Sequence, residues 1–292
     1  ITLPNGRSLS RMAYGVWRLS EAQDHSVSAN LARIDACLDQ GITTFDHADI
    51  YGSYTTEAAF GKAFASSKIN RESLQFISKC GIKYLSKKRD YSIKHYDYSE
   101  EYILWSVEES LKNLQTDYLD LLLLHRPSPL LQPEEVAKAV VKLKESGKIK
   151  HFGLSNFLPH QTDLVKQYVD VEVNQIQFSV THHFPLTDGQ LDYMNLHNIK
   201  PMAWNPLGSV FKEDNEQTLR LKILLADLII KYEVSADIIL LQWILQHPSQ
   251  VIPVVGTANS DRVENLKKIN SFRLETEDWF KIWTTSMGHK VP

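Results

Sequence analysis

The sequence predicts an α/β fold: a (β/α)8 TIM barrel with an N-terminal β-hairpin and an extra C-terminal helix. Short apolar runs alternate with amphipathic segments along the 292 residues, a pattern that indicates βαβ units and a parallel sheet. Eight such units can be assigned, and no linker or change of composition divides them. Because barrels of this class reach this length as one domain, residues 1–292 are expected to form a single domain.

The predicted strands are short and apolar. Residues 1–9, with PNG at their centre, are typical of a small hairpin ahead of the main fold. The clearest buried strand is YLDLLLLH at 118–125, a run of leucines between turn signals. The barrel strands are predicted, in chain order, at Met12–Val16, Thr43–Asp46, Gln75–Lys79, Tyr118–His125, Ile149–Ser155, Val173–Phe178, Lys200–Trp204 and Val251–Val255.

The predicted helices carry start and stop signals. Gly41 and Gly147 end the first and fourth helices, since glycine tolerates the left-handed conformation that follows a helix. Pro133 fits the first turn of the fourth helix. The helices are predicted at Ser26–Gln40, Thr56–Ala65, Glu100–Leu114, Pro133–Ser146, Pro159–Tyr168, Leu191–His197, Thr218–Lys231, Ala236–Gln246 and Asp261–Ile269, with the extra helix at Glu277–Thr285.

The longest irregular insertion, Ile82–Tyr98, follows the third strand. In a barrel it overhangs the carboxyl face of the sheet, where the active sites of this fold lie. Tyr84, His95 and Tyr96 make the insertion a candidate substrate wall, although loop aromatics of this kind also pack against neighbouring helices.

Composition excludes several classes of protein. A formal net charge of −3 gives no reason to expect a nucleic-acid partner or an acidic membrane surface. Cys37 and Cys80 are too few for a disulfide framework, so both are expected to be reduced and packed. The opening ITLPNGRSLS lacks a basic leader with an apolar segment, and no apolar run approaches the ~20 residues that span a bilayer. A cytoplasmic protein without a membrane partner is expected.

Four residues with complementary chemistry fall at, or just after, the ends of three predicted strands: Asp46, Tyr51, Lys79 and His125. Tyrosine is a weak acid with a reference pKa of about 10, and an adjacent lysine ammonium stabilises the phenolate that remains after proton transfer. An aspartate keeps that ammonium charged and aimed, and a histidine can orient a carbonyl by a hydrogen bond. Taken singly, each residue is also explained as a loop tyrosine, a strand-end salt bridge or a core histidine.

The wording around these residues resembles the aldo-keto reductase superfamily, and it is most similar to a bacterial branch of predicted oxidoreductases. Seven blocks carry the resemblance, in the family's order: FDHADIYG, FISKCG, LLLLHRP, HFGLSNF, NQIQFS, MAWNPLG and VIPVVGT. The resemblance implies an NAD(P)H-dependent enzyme that reduces the carbonyl of aldehydes or ketones to alcohols. In that reading Tyr51 is the general acid, Lys79 modulates its pKa, Asp46 pairs with Lys79, and His125 orients the carbonyl.

The cofactor site follows from the resemblance, since no GxGxxG follows the first strand. Ser155, Asn156 and Gln175 would bind the nicotinamide carboxamide, and Trp204 would stack on its ring. The remaining residues implied are Asn205, Leu207, Gly208 and Ser209 at the pyrophosphate, with Thr257 and Arg262 at the adenosine end. NADPH is expected over NADH because the Arg262 guanidinium can grip a 2′-phosphate, although GTANSDR lacks the lysine–serine pair of many relatives.

The substrate is expected to be a small carbonyl compound bound by a monomer, with Trp17 among its wall residues. A second hypothesis is a nicotinamide-binding regulatory subunit with little or no turnover. A third, a hydrolase that uses Asp46 and Asp49, is disfavoured because the two lie three residues apart in one turn. His47 and the pair HH at 182–183 suggest a metal, but no HExxH or CxxC spacing supports one, and none is expected.

Overall fold

The protein is described here by a computed structural model covering residues 1–3, 6, 8–257 and 260–291, with the backbone alone at 260 and 261. Its strands are β1 Ala13–Gly15, β2 Thr44–Asp46, β3 Gln75–Cys80, β4 Ile82–Lys83, β5 His95–Tyr96, β6 Leu119–Leu124, β7 Ile149–Ser155, β8 Val173–Gln177, β9 Lys200–Trp204 and β10 Ile252–Val255. Its α-helices are α1 Val27–Asp39, α2 Thr56–Ala65, α3 Glu100–Leu114, α4 Pro133–Glu145, α5 Pro159–Lys166, α6 Gln190–Leu196, α7 Glu216–Tyr232, α8 Ala236–Leu245, α9 Ser260–Glu264 and α10 Thr276–Met287.

The main sheet is a closed barrel of parallel strands in the order β1-β10-β9-β8-β7-β6-β3-β2. Helices connect consecutive barrel strands, so the predicted (β/α)8 barrel is confirmed, and α10 is the predicted extra helix. Of the N-terminal hairpin, the ends are described: Thr2 and Ser8 form an antiparallel bridge, and Leu9 N donates to Ile1 O at 2.8 Å. Its predicted turn includes Pro4 and Asn5, which lie outside the described residues.

Many predicted boundaries differ from the structure by one or two residues, and three differences change the description of an element. The insertion predicted as irregular contains the antiparallel pair β4 and β5, in which Ile82 faces Tyr96. The first strand ends at Gly15 rather than Val16, because a 3-10 helix begins there and runs to Glu21. The eighth helix is α-helical only to Glu264 and continues as a 3-10 helix over Asn265–Asn270, where Leu266 and Ile269 are both buried. Their spacing of three residues suits the three residues per turn of a 3-10 helix.

Alternation along the strands divides the core into two layers. In β6, Leu121 and Leu123 belong to the cluster inside the barrel, whereas Leu122 and Leu124 pack outward against the helices. Leu3 and Leu9 from the N-terminal segment join the inner cluster. Lys79 and Gln175 lie two residues beyond Ile77 and Val173 of this inner cluster, at the carboxyl ends of their strands, where the candidate site lies.

Helices α2 and α3 pack so closely at Gly61 that adding one methyl group, by substitution with alanine, is expected to disturb the contact. A Cβ added at Gly61 would lie 2.1 Å from Asn113 O and 2.8 Å from the Leu114 carbonyl carbon. Alanine gains ~1 kcal/mol of helix propensity over glycine, but overpacking against backbone costs ~1–3 kcal/mol or more. We expect Gly61→Ala to lower the free energy of unfolding by about 1–2 kcal/mol in chemical denaturation. Lys62→Ala, an exposed neighbour, should change it by less than ~0.5 kcal/mol; equal stability of both variants would contradict the close contact.

Candidate active site

Because side chains alternate along the strands, a set of polar side chains points into the opening of the barrel at the carboxyl ends of its strands, which is called the mouth below. Ile77, Val173 and Met202 belong to the inner cluster, and the residues two further along their strands are Lys79, Gln175 and Trp204. Since side chains alternate faces along a strand, these three point the same way as their apolar predecessors. The chain thereby places an ammonium, an amide and an indole at one end of the apolar inner cluster.

The centre of the site is the Lys79 ammonium. Lys79 Nζ donates to Asp46 Oδ2 at 2.8 Å, to the His47 carbonyl oxygen at 2.9 Å and to Tyr51 Oη at 3.1 Å. Lys79 is only 1% exposed and Asp46 2%. All three ammonium protons therefore have acceptors, and the group is held with its charge against the tyrosine phenol.

The electrostatics keep Lys79 charged and Tyr51 protonated. Burial lowers the pKa of Lys79, but the neighbouring Asp46 and Tyr51 outweigh it and raise the pKa above its ordinary value. Burial raises the pKa of Tyr51, and the Lys79 charge offsets part of that rise because it favours the phenolate. At neutral pH the arrangement presents a phenol that can give a proton and an ammonium that stabilises the resulting charge.

His125 lies beside Tyr51 at the end of β6. The two ring centroids are 6.0 Å apart in an edge-to-face arrangement, and His125 N donates to Cys80 O at 3.0 Å. Burial, followed by the charges of Lys79, Arg126 and Lys94, holds the pKa of His125 well below its usual range. Its ring is thus neutral at pH 7, and Nδ1 has no hydrogen-bond partner among the described residues. A neutral imidazole next to the phenol can orient a carbonyl by a hydrogen bond.

The turn that carries Tyr51 has an unusual backbone. Gly52, Ser53 and Tyr54 follow with φ of 55°, 54° and 68°, three consecutive residues in the left-handed region. For non-glycine residues that conformation costs ~1–2 kcal/mol each, so it persists only where surrounding contacts impose it.

The contacts that hold this turn join Tyr54 to the insertion Ile82–Tyr98. Tyr84 N donates to Tyr54 Oη at 2.7 Å, and Lys88 Nζ donates to Tyr54 O at 3.2 Å. The Arg89 guanidinium lies 5.1 Å from the Tyr54 ring centroid. Tyr54 itself is buried. The candidate substrate wall and the turn after Tyr51 are therefore joined through one side chain.

The residues predicted for the carboxamide form a connected group. Ser155 Oγ donates to Gln175 O at 3.0 Å, and Asn156 Nδ2 donates to Ser155 Oγ at 2.8 Å. Asn156 Oδ1 accepts from Trp204 Nε1 at 2.8 Å, which fixes the plane of a half-buried indole. Gln175 Nε2, however, donates to Asp46 Oδ1 at 2.9 Å. That donor is thus committed to the Asp46–Lys79 pair, a contact that no local sequence signal indicated.

The loop after Trp204 packs against Thr181 in the loop that follows β8. Asn205 and Gly208 have φ of 53° and 57°, and a Cβ at Gly208 would lie 2.0 Å from Thr181 Oγ1. Ser209 N donates to Thr181 Oγ1 at 3.1 Å, and half-buried Leu207 packs on the core. Lys212, which sequence reasoning missed, donates to Asn205 Oδ1 at 3.2 Å.

The remaining predicted residues lie around this centre. Thr257 O, just after β10, accepts from Tyr14 Oη at 2.6 Å. Arg262 is exposed on the short helix α9. Trp17 lies in the 3-10 helix after β1 and is 55% exposed. None of these three contacts the Asp46–Lys79–Tyr51 group through the described hydrogen bonds.

The side chains of His47 and Asp49 point away from the Asp46–Lys79–Tyr51 group. In the sequence, these two residues suggest a metal site and a hydrolase. His47 is fully buried, its ring centroid is 4.5 Å from that of Phe60, and burial and the charge of Lys79 lower its pKa to about 3. Ser106 Oγ, on α3, donates to Asp49 Oδ2 at 3.2 Å, and burial holds the pKa of Asp49 well above its usual range. Among the described residues, no group of three or more histidine, cysteine or acidic side chains is arranged to hold a metal.

Comparisons with known proteins agree with this geometry. A sequence model of the aldo/keto reductase family matches residues 11–284. The chain is 40% identical to the uncharacterized oxidoreductase YcsN of Bacillus subtilis, with 100% of this chain and 99% of YcsN covered. It is 37% identical to 6-dehydroglucose reductase of Agrobacterium fabrum, with 100% and 99% covered. The solved structure of a glycerol dehydrogenase from Gluconobacter oxydans has a TM-score of 0.87 at 23% identity, with 100% and 97% covered, and supports the fold alone.

The chain belongs to the aldo/keto reductase family. It is an oxidoreductase of carbonyl compounds that works with a nicotinamide cofactor, and none of these comparisons favours a regulatory subunit without turnover. The side chains at the mouth fit that cofactor: Ser155 and Asn156 offer hydroxyl and amide groups for a carboxamide, and Trp204 offers a half-buried aromatic face held by Asn156. Within the part of the chain that the structure describes, no helix is both long and apolar enough to cross a membrane.

Proposed function

We propose that the chain reduces an aldehyde or ketone to an alcohol with Tyr51 as the general acid. The observation that carries this proposal is the Lys79 ammonium, which donates to Tyr51 Oη at 3.1 Å while it is paired with Asp46. Oxidation of NADPH by the purified protein, followed with a panel of aldehydes and ketones, tests it. Binding of NADPH without consumption in the presence of any carbonyl compound would overturn it.

Each residue of the group has one task in this reaction. The nicotinamide supplies the hydride when it is bound. Tyr51 donates its phenolic proton to the carbonyl oxygen, and Lys79 stabilises the phenolate that remains. Asp46 holds the ammonium in place, and the neutral ring of His125 orients the carbonyl. Trp17 and the insertion 82–98 form part of the substrate wall, and a replacement proton reaches Tyr51 from solvent.

In this proposal, residues along the mouth of the barrel would hold the cofactor. Ser155, Asn156 and the amide oxygen of Gln175, whose Nε2 is committed to Asp46, would hold the carboxamide. Trp204, with its plane fixed by Asn156, would stack on the nicotinamide ring. The loop bearing Asn205, Leu207, Gly208 and Ser209 would hold the pyrophosphate. Thr257 and Arg262 lie at the adenosine end.

NADPH is the proposed cofactor, and Arg262 is the residue that selects it. A charge-assisted contact between its guanidinium and the 2′-phosphate contributes ~1.5–3 kcal/mol, about tenfold to a hundredfold in affinity, which NADH does not gain. We expect the wild-type protein to bind NADPH more tightly than NADH by about that ratio, and Arg262→Ala to abolish most of it while NADH affinity is retained. Fluorescence titration with each cofactor measures both ratios.

Lys267→Ala is the matched control, because Lys267 is also an exposed cation and lies in the 3-10 helix that follows α9. This variant should keep the wild-type ratio. Equal dissociation constants for the two cofactors in the wild-type protein would contradict the role of Arg262, whatever the variants do.

The same proposal covers the organisation of the chain. Residues 1–292 act as a single domain and as a monomer, which is supported by a barrel sheet that closes on itself and so offers no strand edge to a second copy. A cytoplasmic location is supported by Cys37 and Cys80, which are buried and unpaired with each other.

A further inference from the structure

Arg126 immediately follows His125 at the mouth of the barrel, and its backbone is held rigidly. Tyr98 Oη donates to Arg126 O at 2.5 Å and accepts from Arg126 N at 3.1 Å. The guanidinium carbon lies 5.4 Å from the Trp204 ring centroid. The charge of Arg126 is therefore directed over the indole that also borders the proposed cofactor site, one residue away from the proposed carbonyl-orienting group.

No carboxylate of the described residues forms an ion pair with Arg126, although the side chain is half-buried. Three other cations of this region are neutralised: Lys79 by Asp46 at 2.8 Å, Lys83 by Asp97 at 2.5 Å, and Arg89 by Glu109 at 3.6 Å. A cation that has lost part of its hydration without gaining an anion is unfavourable in the protein alone. It becomes favourable when a ligand brings the missing charge.

A second cation without an ion pair among the described residues is Lys94, which is exposed in the insertion and lies 5.9 Å from the Tyr84 ring centroid. The charges of Arg126 and Lys94 both act to lower the pKa of His125. Arg126 adjoins that ring in the chain, and Lys94 lies in the insertion proposed as part of the substrate wall, which places both cations on the substrate side of the mouth. The proposed phosphate contacts of the cofactor belong to other segments, residues 205–209 and 257–262, so neither cation is needed for them.

We propose that Arg126, assisted by Lys94, binds an anionic group on the carbonyl substrate, so that the substrate class is aldehydes or ketones bearing a carboxylate or a phosphate. The planar guanidinium presents paired N–H donors that match either group. This inference rests on the proposed function only in that the substrate carbonyl meets Tyr51 and His125. It adds what holds the other end of the substrate.

Matched substrates test the inference. The first pair is 4-carboxybenzaldehyde and its uncharged methyl ester, and the second is glyceraldehyde 3-phosphate and glyceraldehyde. For wild-type protein we expect kcat/KM to favour the anionic member by about tenfold to a hundredfold, the range of one charge-assisted contact. The pair with the larger ratio identifies the anion as carboxylate or phosphate. Equal kcat/KM within both pairs would overturn the inference.

Variants locate the effect. Arg126→Gln should reduce the ratio to within about threefold of unity, Arg126→Lys should retain part of it, and Lys94→Gln should reduce it less than Arg126→Gln. Lys112→Gln removes an exposed cation from the last turn of α3, at the opposite end of the barrel, and should keep the wild-type ratio. A ratio that survives in Arg126→Gln, or that falls equally in Lys112→Gln, would contradict the role of Arg126.

A binding measurement separates this inference from the catalytic one. Benzoate and benzamide are unreactive, and quenching of tryptophan fluorescence reports their dissociation constants with the wild-type protein and Arg126→Gln. We expect wild-type protein to bind benzoate at least about tenfold more tightly than benzamide, and Arg126→Gln to lose the difference. This preference does not need a proton from Tyr51, so it persists even if Tyr51 proves not to be the acid. A weaker dissociation constant for NADPH in Arg126→Gln, with an unchanged benzoate preference, would instead assign Arg126 to the cofactor and overturn the inference.

Discussion

Tyr51→Phe is expected to lose carbonyl reduction by roughly a hundredfold or more in kcat, while it binds NADPH as tightly as the wild-type protein. The size of the loss follows from the contribution of a positioned acid to a proton-transfer step, ~10²–10⁴-fold. Tyr51 Oη is the atom that Lys79 contacts at 3.1 Å, and phenylalanine removes it while keeping the ring beside His125. Single-turnover rates and fluorescence titration with NADPH measure the two effects separately.

Tyr54→Phe is the matched comparison, since it removes a phenolic oxygen three residues away that bonds to the backbone of Tyr84 instead of to Lys79. Its loss in kcat should be smaller than that of Tyr51→Phe. Near wild-type turnover in Tyr51→Phe would remove Tyr51 from the role of acid.

Lys79→Met is expected to reduce kcat by about 10²–10³-fold, the cost of losing an electrostatic group that stabilises charge in the transition state. It should also destabilise the fold by ~3–5 kcal/mol, because the Asp46 carboxylate, 2% exposed, remains buried without its cation. Gln175 Nε2 still donates to Asp46 Oδ1, which limits the damage to one of the two carboxylate oxygens. Stopped-flow reduction and chemical denaturation of the same preparation give both quantities.

Asp46→Asn keeps the ammonium and a side chain of the same shape, so its loss of activity should be smaller than that of Lys79→Met. The order of the two variants is the informative result. Wild-type activity in Asp46→Asn together with an inactive, folded Lys79→Met would show that the pairing of Asp46 with Lys79 is not needed for the reaction.

The barrel was predictable because its signals are local and repeated. The boundaries of α2, α3, β7 and β9 agree with the sequence prediction, and for α3 the start is fixed by the cap Ser99, whose side chain accepts from Tyr102 N. The convergence of Asp46, Lys79 and Tyr51 follows from the same logic, because the carboxyl ends of barrel strands meet at one face. The positions of the strands in the sequence were therefore sufficient to predict that these three side chains lie close together.

Features that depend on contacts between distant segments were not predictable from one sequence. Gln175 donates to Asp46 across 129 positions of the chain, and a glutamine in a strand carries no mark of that partner. The short pair β4 and β5 has two residues in each strand, too few for a period to be recognised. The unpaired charge of Arg126 is likewise visible only once the positions of the carboxylates are known.

The left-handed turn Gly52–Tyr54 has a mechanical consequence. Its strained backbone is held by the Tyr54 phenol, which the root of the insertion grips through Tyr84, and Thr55 N and Thr56 N both donate to the carbonyl oxygen of Tyr51. Outward movement of the insertion would break the Tyr84–Tyr54 hydrogen bond and so remove one of the contacts that hold the turn in its left-handed conformation. The position of the insertion and the position of the turn that carries Tyr51 are therefore linked through a single hydroxyl group, that of Tyr54.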